Sequence, residues 1–526
     1  MGGHVIFSHY DYFDKLLEAS VGSFDDETKW KTHRRESYVR YKGSWVPYPF
    51  QNNLCRVPAE DQVRIINGMV DARVEDAKAG PKRPLPENFD EWIVRTMGEG
   101  MADVFMRPYN FKVWAIPPSL MQWSWLGERV SVVDPSKAIT NVLMNREETS
   151  WGPNAVFRFP CNGGTGAIWK AVARRLPQER LLFNQEIVSI DLEKREATTK
   201  NVVDGSTSII AFQRMISTLP LDLLVNRIIT VGLNKPMCES IASRLVHSTS
   251  HIIGLGIRGR NPHGTKCWLY FPEDNCPFYR ATVFSNYGPG NVPAENKKLP
   301  TLRRADGSSV ASAVGQEGPW WSLMLEVSES VHKPVDGANV VEDTIRGCIV
   351  AGLMTGEDEI VSIYHRRIEH GYPTPSLTRD AALSEALPVL RSKGIWSRGR
   401  FGSYKYEIAN QDHSLVLGVE AVDNMFFGRE ETTLHQPGYV NRNVGSAKNM
   451  KPEWDSIPSS VGASSSLPST EGGKDSNLAP EATDDSFVVG MDRYPTVVPS
   501  LRRKSFQSVS DYIRFVNSTD AVRKGA

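Results

Sequence analysis

Apolar residues recur at helical spacing in two stretches near the front of the chain, A-E-D-Q-V-R-I-I-N-G-M-V-D-A-R-V from Ala59 and F-D-E-W-I-V-R-T-M-G-E-G-M-A-D-V-F from Phe89, with the proline-rich G-P-K-R-P-L-P-E-N between them. This spacing predicts a helical subdomain from Ala59 to Met106, within a helical domain expected near residues 56–126. From His251 onward the period shortens to that of strands in H-I-I-G-L-G-I-R-G, K-C-W-L-Y-F, Y-R-A-T-V-F-S-N-Y and P-W-W-S-L-M-L-E-V-S, each bounded by turn residues. These predict a mainly antiparallel sheet domain. Near Gly445 large apolar residues become scarce, and Ser, Pro, Gly, Asp and Glu dominate as far as Ser486. Such a composition cannot offset its ordering entropy, so residues 445–526 are expected to form a disordered linker and tail. Within that tail Phe506, Val509, Tyr512, Ile513 and Val516 fall at the spacing of one short amphipathic helix.

At 526 residues and 40% hydrophobic content the chain exceeds one hydrophobic core, so two or three domains are expected. Lys and Arg number 61 against 61 Asp and Glu, a balance that argues against a general nucleic-acid binder. Six cysteines lie scattered with no C-x-x-C pair, so neither a zinc site nor a disulfide framework is readable, and a reducing cytoplasm is expected. No run of 18 apolar residues is present, and the front of the chain carries His, Asp and Lys where a signal peptide needs an apolar stretch; neither a membrane span nor export is expected. Gly254–Gly259 satisfies G-x-G-x-x-G, yet Asn261-Pro262 and another strand follow where phosphate binding needs a helix N-terminus, so it reads as a glycine-bearing strand. His247 and His251 suit a metal only on a helix with a third ligand, and read as ordinary histidines.

What stands out is a set of blocks mixing aromatics with Arg and Asn: W-V-P-Y-P-F-Q-N-N from Trp45, M-R-P-Y-N-F-K-V-W from Met106, L-G-E-R-V from Leu126, W-G-P-N-A-V-F-R-F-P from Trp151, C-W-L-Y-F-P-E-D-N-C-P-F-Y-R from Cys267, H-G-Y-P-T-P from His370 and R-G-R-F-G-S-Y-K-Y-E-I-A-N-Q-D-H-S from Arg398. Tyr and Trp offer a flat apolar face with a polar tip, and Arg offers a fork for phosphate oxygens. Any one of these aromatics could equally be core packing; together they have the composition of a nucleotide-sugar pocket.

These blocks, with Gly2-Gly3-His4 and Gly163-Gly164-Thr165-Gly166, resemble UDP-galactopyranose mutases of the eukaryotic, fungal type, from Gly2 to about Tyr439. The resemblance implies an isomerase that interconverts UDP-galactopyranose and UDP-galactofuranose with reduced FAD, a ring contraction without net redox change that supplies galactofuranose for cell walls. In that family the flavin N5 attacks the anomeric carbon and expels UDP, the flavin–sugar adduct opens and recloses through another hydroxyl, and UDP returns; NADPH is the reductant. The fold implied is α/β. A discontinuous FAD-binding, Rossmann-like domain is expected from 1–30, 156–245 and 388–440, beside the helical domain and a substrate-binding sheet domain from 31–55, 127–155 and 246–387. An assembly of identical copies is also expected.

Carried onto matching positions, the family's roles put Arg280 and Arg129 as cations on the diphosphate and Tyr270, Tyr287, Tyr372 and Tyr406 as hydroxyl donors to it. Phe7, Tyr48, Phe50, Gln51, Asn110 and Trp114 match the uridine end, while Asn154, Trp268 and Arg400 face galactose and flavin. Gly2, Gly3 and His4 lie against the isoalloxazine, and Ile187, Ser217, Asn410, Gln411 and Ser414 are further cofactor contacts. Ala409 stands where the family has glycine. Family members carry roughly sixty residues before the glycine doublet, holding the first strand, the phosphate loop and its helix, where this chain has Met1 alone. On that reading the first βαβ unit is missing, FAD is poorly retained, and the alternative is an inactive UDP-sugar-binding remnant. A flavin amine oxidase relative would share the glycine doublet but leaves the Tyr and Arg set around Arg280 unexplained.

Overall fold

The computed structural model describes residues 3–441 apart from 133, 150, 151, 153, 154 and 311–313; the expected tail at 445–526 lies outside the described residues. The strand patterns assemble into one eight-stranded sheet. Its strands are, in chain order, β1 (Tyr38–Tyr41), β2 (Ser44–Pro47), β3 (His247–Arg258), β4 (Trp268–Tyr270), β5 (Arg280–Val283), β6 (Arg303–Arg304), β7 (Trp320–Glu329) and β8 (Glu359–Pro373). Their order across the sheet is β6-β8-β3-β7-β5-β4-β1-β2. All pairings are antiparallel except β1 with β4.

Period-two alternation divides the two faces. Trp321, Leu323, Leu325 and Val327 on β7, with Ala281 and Val283 on β5, join a core completed by the helix Val340–Val350. Arg280 on β5 and Glu326 on β7 therefore project from the opposite face, and the register sets them directly across from each other. The G-x-G-x-x-G match runs along the end of β3, with only its last residue, Gly259, beyond the strand, as the sequence context required. A Cβ at Gly256 would stand 2.3 Å from Ser362 Oγ on β8, so glycine there serves strand packing. From β3, Arg258 reaches the 288–318 segment, donating to the carbonyls of Leu299, Gln316 and Glu317.

The first helices are α1 (Asp11–Val21), α2 (Ala59–Ala79) and α3 (Phe89–Met101). Asn88 starts α3 by accepting the Glu91 N–H, the cap that the P-E-N turn supplies. α2 and α3 touch through glycines. Gly98 has φ +82°, and a Cβ there would lie 2.1 Å from the Gly68 carbonyl; one at Gly100 would lie 2.2 Å from Arg64 O. Gly98→Ala thus meets both backbone strain and a collision with main chain that no rotamer relieves. It is expected to cost at least ~2–3 kcal/mol, visible as a lower midpoint in urea unfolding. A midpoint equal to wild type would mean that the two helices are free to part at this crossing. Beyond α3 the chain winds through α4 (Arg107–Trp114), which carries Asn110 and Trp114 toward the sheet.

Smaller sheets flank these elements. Gln185–Asp191, Glu196–Asn201 and Thr207–Ala211 form an antiparallel set, extended by a parallel pairing to Ile229–Val231. Met215–Ser217 pairs in parallel with Ile395–Ser397, and Trp30–Arg34 pairs with Val156–Pro160. α5 (Gly164–Ala173) opens on Gly163 and Gly164, both at positive φ, and α6 (Gln411–Phe427) follows Asn410. The front of the chain is tied to α6 by the buried Asp412 carboxylate, which accepts from His9 N–H at 2.9 Å and meets His9 Nδ1 at 2.7 Å. Among the described residues no helix is long and apolar enough to cross a membrane.

Candidate active site

Where the open face of the sheet, α4, the first residues and the 400–415 segment meet, a cavity of about 800 Å³ opens. Residues from Gly3 to Leu415 line it. From the sequence-based candidates, Gly3, His4, Phe7, Tyr48, Gln51, Asn110, Trp114, Arg129, Trp268, Tyr270, Arg280, Tyr372, Arg400, Tyr406, Asn410, Gln411 and Ser414 lie on its wall.

Four expected residues do not. Phe50 is fully buried and stacks on Phe105 at 4.4 Å, and it is Phe105 that reaches the cavity. Tyr287 is enclosed by Phe157, Phe159 and Trp268, its hydroxyl buried without a hydrogen-bond partner among the described residues. Phe50 was drawn from an aromatic block and Tyr287 from the family match alone; in both, core and pocket call for the same ring. Ile187 belongs to the four-stranded sheet and Ser217 to the end of Met215–Ser217, where its Oγ accepts the Leu219 N–H. Gly2 and Asn154 lie outside the described residues.

The centre of the cavity is built by strand register. Tyr270 on β4, Arg280 on β5 and Glu326 on β7 occupy one rung of three adjacent strands. Arg280 donates through Nε at 2.9 Å and through Nη2 at 2.7 Å to Glu326, and the Tyr279 hydroxyl donates to the other carboxylate oxygen. Nη1 of Arg280 has no hydrogen-bond partner among the described residues and is left for the cavity. Burial, the largest single influence, would lower the Arg280 guanidinium, but the Glu326 carboxylate together with Tyr372, Tyr279 and Tyr270 holds the group above its ordinary range.

Two more cations close the pocket around Tyr406. Arg129 lies over its ring at 5.3 Å while donating to Asn410 Oδ1 at 2.9 Å and Glu407 O at 3.1 Å. Arg400 lies 5.3 Å over the same ring and 4.9 Å over Tyr372. Trp114 packs edge-on against both tyrosines. At the Tyr48 end Arg35 sits 4.8 Å over the ring, Gln51 donates to Ser131 O at 2.6 Å, and Gln51 Oε1 is buried without a partner among the described residues. Burial pushes the Tyr48 and Tyr270 phenols up, so they stand as neutral donors.

The opposite end is lined by main chain and small polar groups. Thr165 Oγ1 donates to His4 O at 2.7 Å, and Trp169 Nε1 donates to Gln411 Oε1 at 2.8 Å. Asn410 Nδ2 is buried with no partner among the described residues. A Cβ on Gly3 would crowd Met324, Phe284 and Tyr287 at 3.2–3.3 Å, whereas one on Gly166 would meet nothing within 4 Å. Ala409 has φ −113°, an ordinary conformation that imposes no demand for glycine.

Arg35, Tyr279 and Glu326 were not singled out from the sequence. A lone acid inside the apolar W-W-S-L-M-L-E-V-S run carried a signal, because such a residue is buried only when paired. Outside the cavity, His247 meets Asp222 and His370 rather than His251. Its ring stacks on His370 at 4.0 Å, and His370 Nε2 lies 2.9 Å from Asp222.

No family model matches the chain. Among solved structures it is similar to a reduced UDP-galactopyranose mutase, with 44% identity, 84% of this chain and 86% of that chain covered, and a TM-score of 0.74. It is more distantly similar to a putative protoporphyrinogen oxidase from Exiguobacterium, at 11% identity over 80% of this chain and 89% of that one with a TM-score of 0.49. A cyclohexylamine oxidase from Brevibacterium oxydans stands at 9% identity over 84% and 86%, with a TM-score of 0.47.

Proposed function

The chain belongs to the UDP-galactopyranose mutase family, a family of isomerases, and from that premise we propose that it interconverts UDP-galactopyranose and UDP-galactofuranose in this cavity, supplying galactofuranose for cell walls. The observation that carries the reading is the convergence of Arg129, Arg280 and Arg400 with Tyr270, Tyr372 and Tyr406 around one cavity that Gly3, His4 and Asn410 also line.

The lining around Gly3 and Asn410 suits a flavin. It offers a buried unpaired amide donor at Asn410, the Thr165 hydroxyl fixed on His4 O, a Gln411 amide held in place by Trp169, and main chain open at Gly166. Gly3, His4, Asn410, Gln411 and Ser414 would hold FAD. When bound and reduced, with NADPH as the proposed reductant, it supplies the nucleophile that receives the sugar carbon.

The protein's own groups manage the leaving diphosphate. The free edge of Arg280 and the Arg129 guanidinium bind its oxygens, and the hydroxyls of Tyr270, Tyr372 and Tyr406 donate to it. As the bond to the sugar breaks, charge grows on the departing oxygen, and donors already fixed in a cavity of low dielectric need no reorganisation to meet it. Tyr48, Phe7, Gln51, Asn110 and Trp114 hold the uridine, with Phe105 contributing the ring surface expected of Phe50. Trp268 and Arg400 face the sugar. The division into a discontinuous cofactor domain, a helical domain and a sheet domain belongs to the same proposal, supported by the parallel pairing of Met215–Ser217 with Ile395–Ser397.

The protein supplied with FAD and dithionite is expected to convert UDP-galactofuranose to UDP-galactopyranose, followed by separation of the two nucleotides, and to be inactive with oxidised flavin. UDP binding without turnover would instead mark a nucleotide-sugar-binding protein.

A further inference from the structure

The geometry points to Glu326 as a positioning residue that aims Arg280 and limits how tightly UDP is held, an inference that rests on the proposed mutase reading. Glu326 is 5% exposed, and three hydrogen bonds from Arg280 and one from Tyr279 end on its two oxygens. Because β5 and β7 set the two residues opposite each other, the carboxylate grips Nε and Nη2 and turns Nη1 outward. The grip has an electrostatic consequence. A guanidinium already paired with a buried carboxylate presents a nearly neutral unit to the diphosphate, and the carboxylate repels the same phosphates that Nη1 attracts. A reaction that must release UDP from the sugar and then return it gains from such balance, since an unopposed cation would trap the freed UDP.

Orientation and charge separate in two variants. In Glu326→Gln the amide oxygen can still accept from Nε and Nη2, and its NH2 can donate to the Tyr279 hydroxyl, which then turns to Tyr372, 3.4 Å away. Aim is kept and the opposing charge is lost. Glu326→Ala loses both. UDP titrated calorimetrically into wild type, Glu326→Gln, Glu326→Ala and Arg280→Ala is expected to bind the Gln variant about tenfold more tightly than wild type. The Ala variant should bind more weakly than wild type, and UDP inhibition constants in the mutase assay should move in the same directions. Arg280→Ala alone should bind UDP more weakly than wild type, since it removes Nη1 and leaves the carboxylate unopposed, and Glu326→Gln should still tighten UDP in that background, because the repulsion it removes acts on the phosphates directly. Failure of wild type to bind UDP would overturn the functional reading itself. If wild type binds and Glu326→Gln is no tighter, or if Gln and Ala shift affinity in the same direction, the role given to Glu326 is overturned. Thermal unfolding of both variants identifies a loss caused by misfolding, and Tyr279→Phe gives an independent arm: with one donor to the carboxylate removed, UDP affinity should fall.

Discussion

Arg280→Ala should lower kcat by about 10²–10³-fold, the scale of removing one fixed donor at a site where charge develops. The guanidinium is held from behind by Glu326, so its free edge meets the diphosphate without first becoming ordered. KM should change less than kcat, because the interaction strengthens as the diphosphate leaves. Arg280→Lys should recover only a small part of the loss, since one ammonium cannot grip Glu326 and phosphate together. Alanine also strands a carboxylate that is 5% exposed, so steady-state rates belong beside an unfolding curve for each variant. A kcat for Arg280→Ala within threefold of wild type would remove Arg280 from the catalytic machinery.

The second large effect lies behind the pocket wall. Arg379, 1% exposed, donates to both oxygens of Glu407 at 2.9 and 3.0 Å. The main-chain carbonyl of Glu407 in turn receives Arg129 at 3.1 Å and Asn441 at 3.0 Å. The ion pair thus anchors the turn that carries Tyr406 and Asn410. Glu407→Ala leaves both Nη groups of the buried Arg379 guanidinium without the Glu407 carboxylate, with only the more exposed Asp380 remaining on Nε, and a loss of ~3–5 kcal/mol is expected in chemical denaturation, with activity falling further than stability explains. Replacing the pair together, as Arg379→Met with Glu407→Leu, should restore most of the stability, since apolar groups of similar volume fill such sites without a desolvation cost. A loss in the double variant equal to the sum of the losses in Arg379→Met and Glu407→Leu alone would show that the pair is not energetically coupled.

Much of the cavity wall was legible before any coordinates. Arg280, Tyr372, Tyr406 and Gly3 come from four separate stretches, and each took its role from the resemblance of its stretch to the mutase family; all four line one cavity. The rejection of G-x-G-x-x-G also held, because a motif's meaning depends on the elements around it and β3 continues through it as strand. Phe50 and Tyr287 went the other way: an aromatic ring has the same apolar surface whether it meets a core or a ligand, and which it meets depends on neighbours absent from its own segment.

Local pattern indicated the helical stretches from Ala59 and Phe89, the strands from His251 onward and the aromatic, Arg and Asn blocks suited to a nucleotide sugar, because period, propensity and side-chain type are properties of short segments. Tertiary structure decided the pairings. Register put Glu326 opposite Arg280, the α2–α3 crossing required glycine at 68, 98 and 100, and the fold set Arg379 behind Glu407. Each is a contact between segments far apart in the chain, selected by the burial of the whole core.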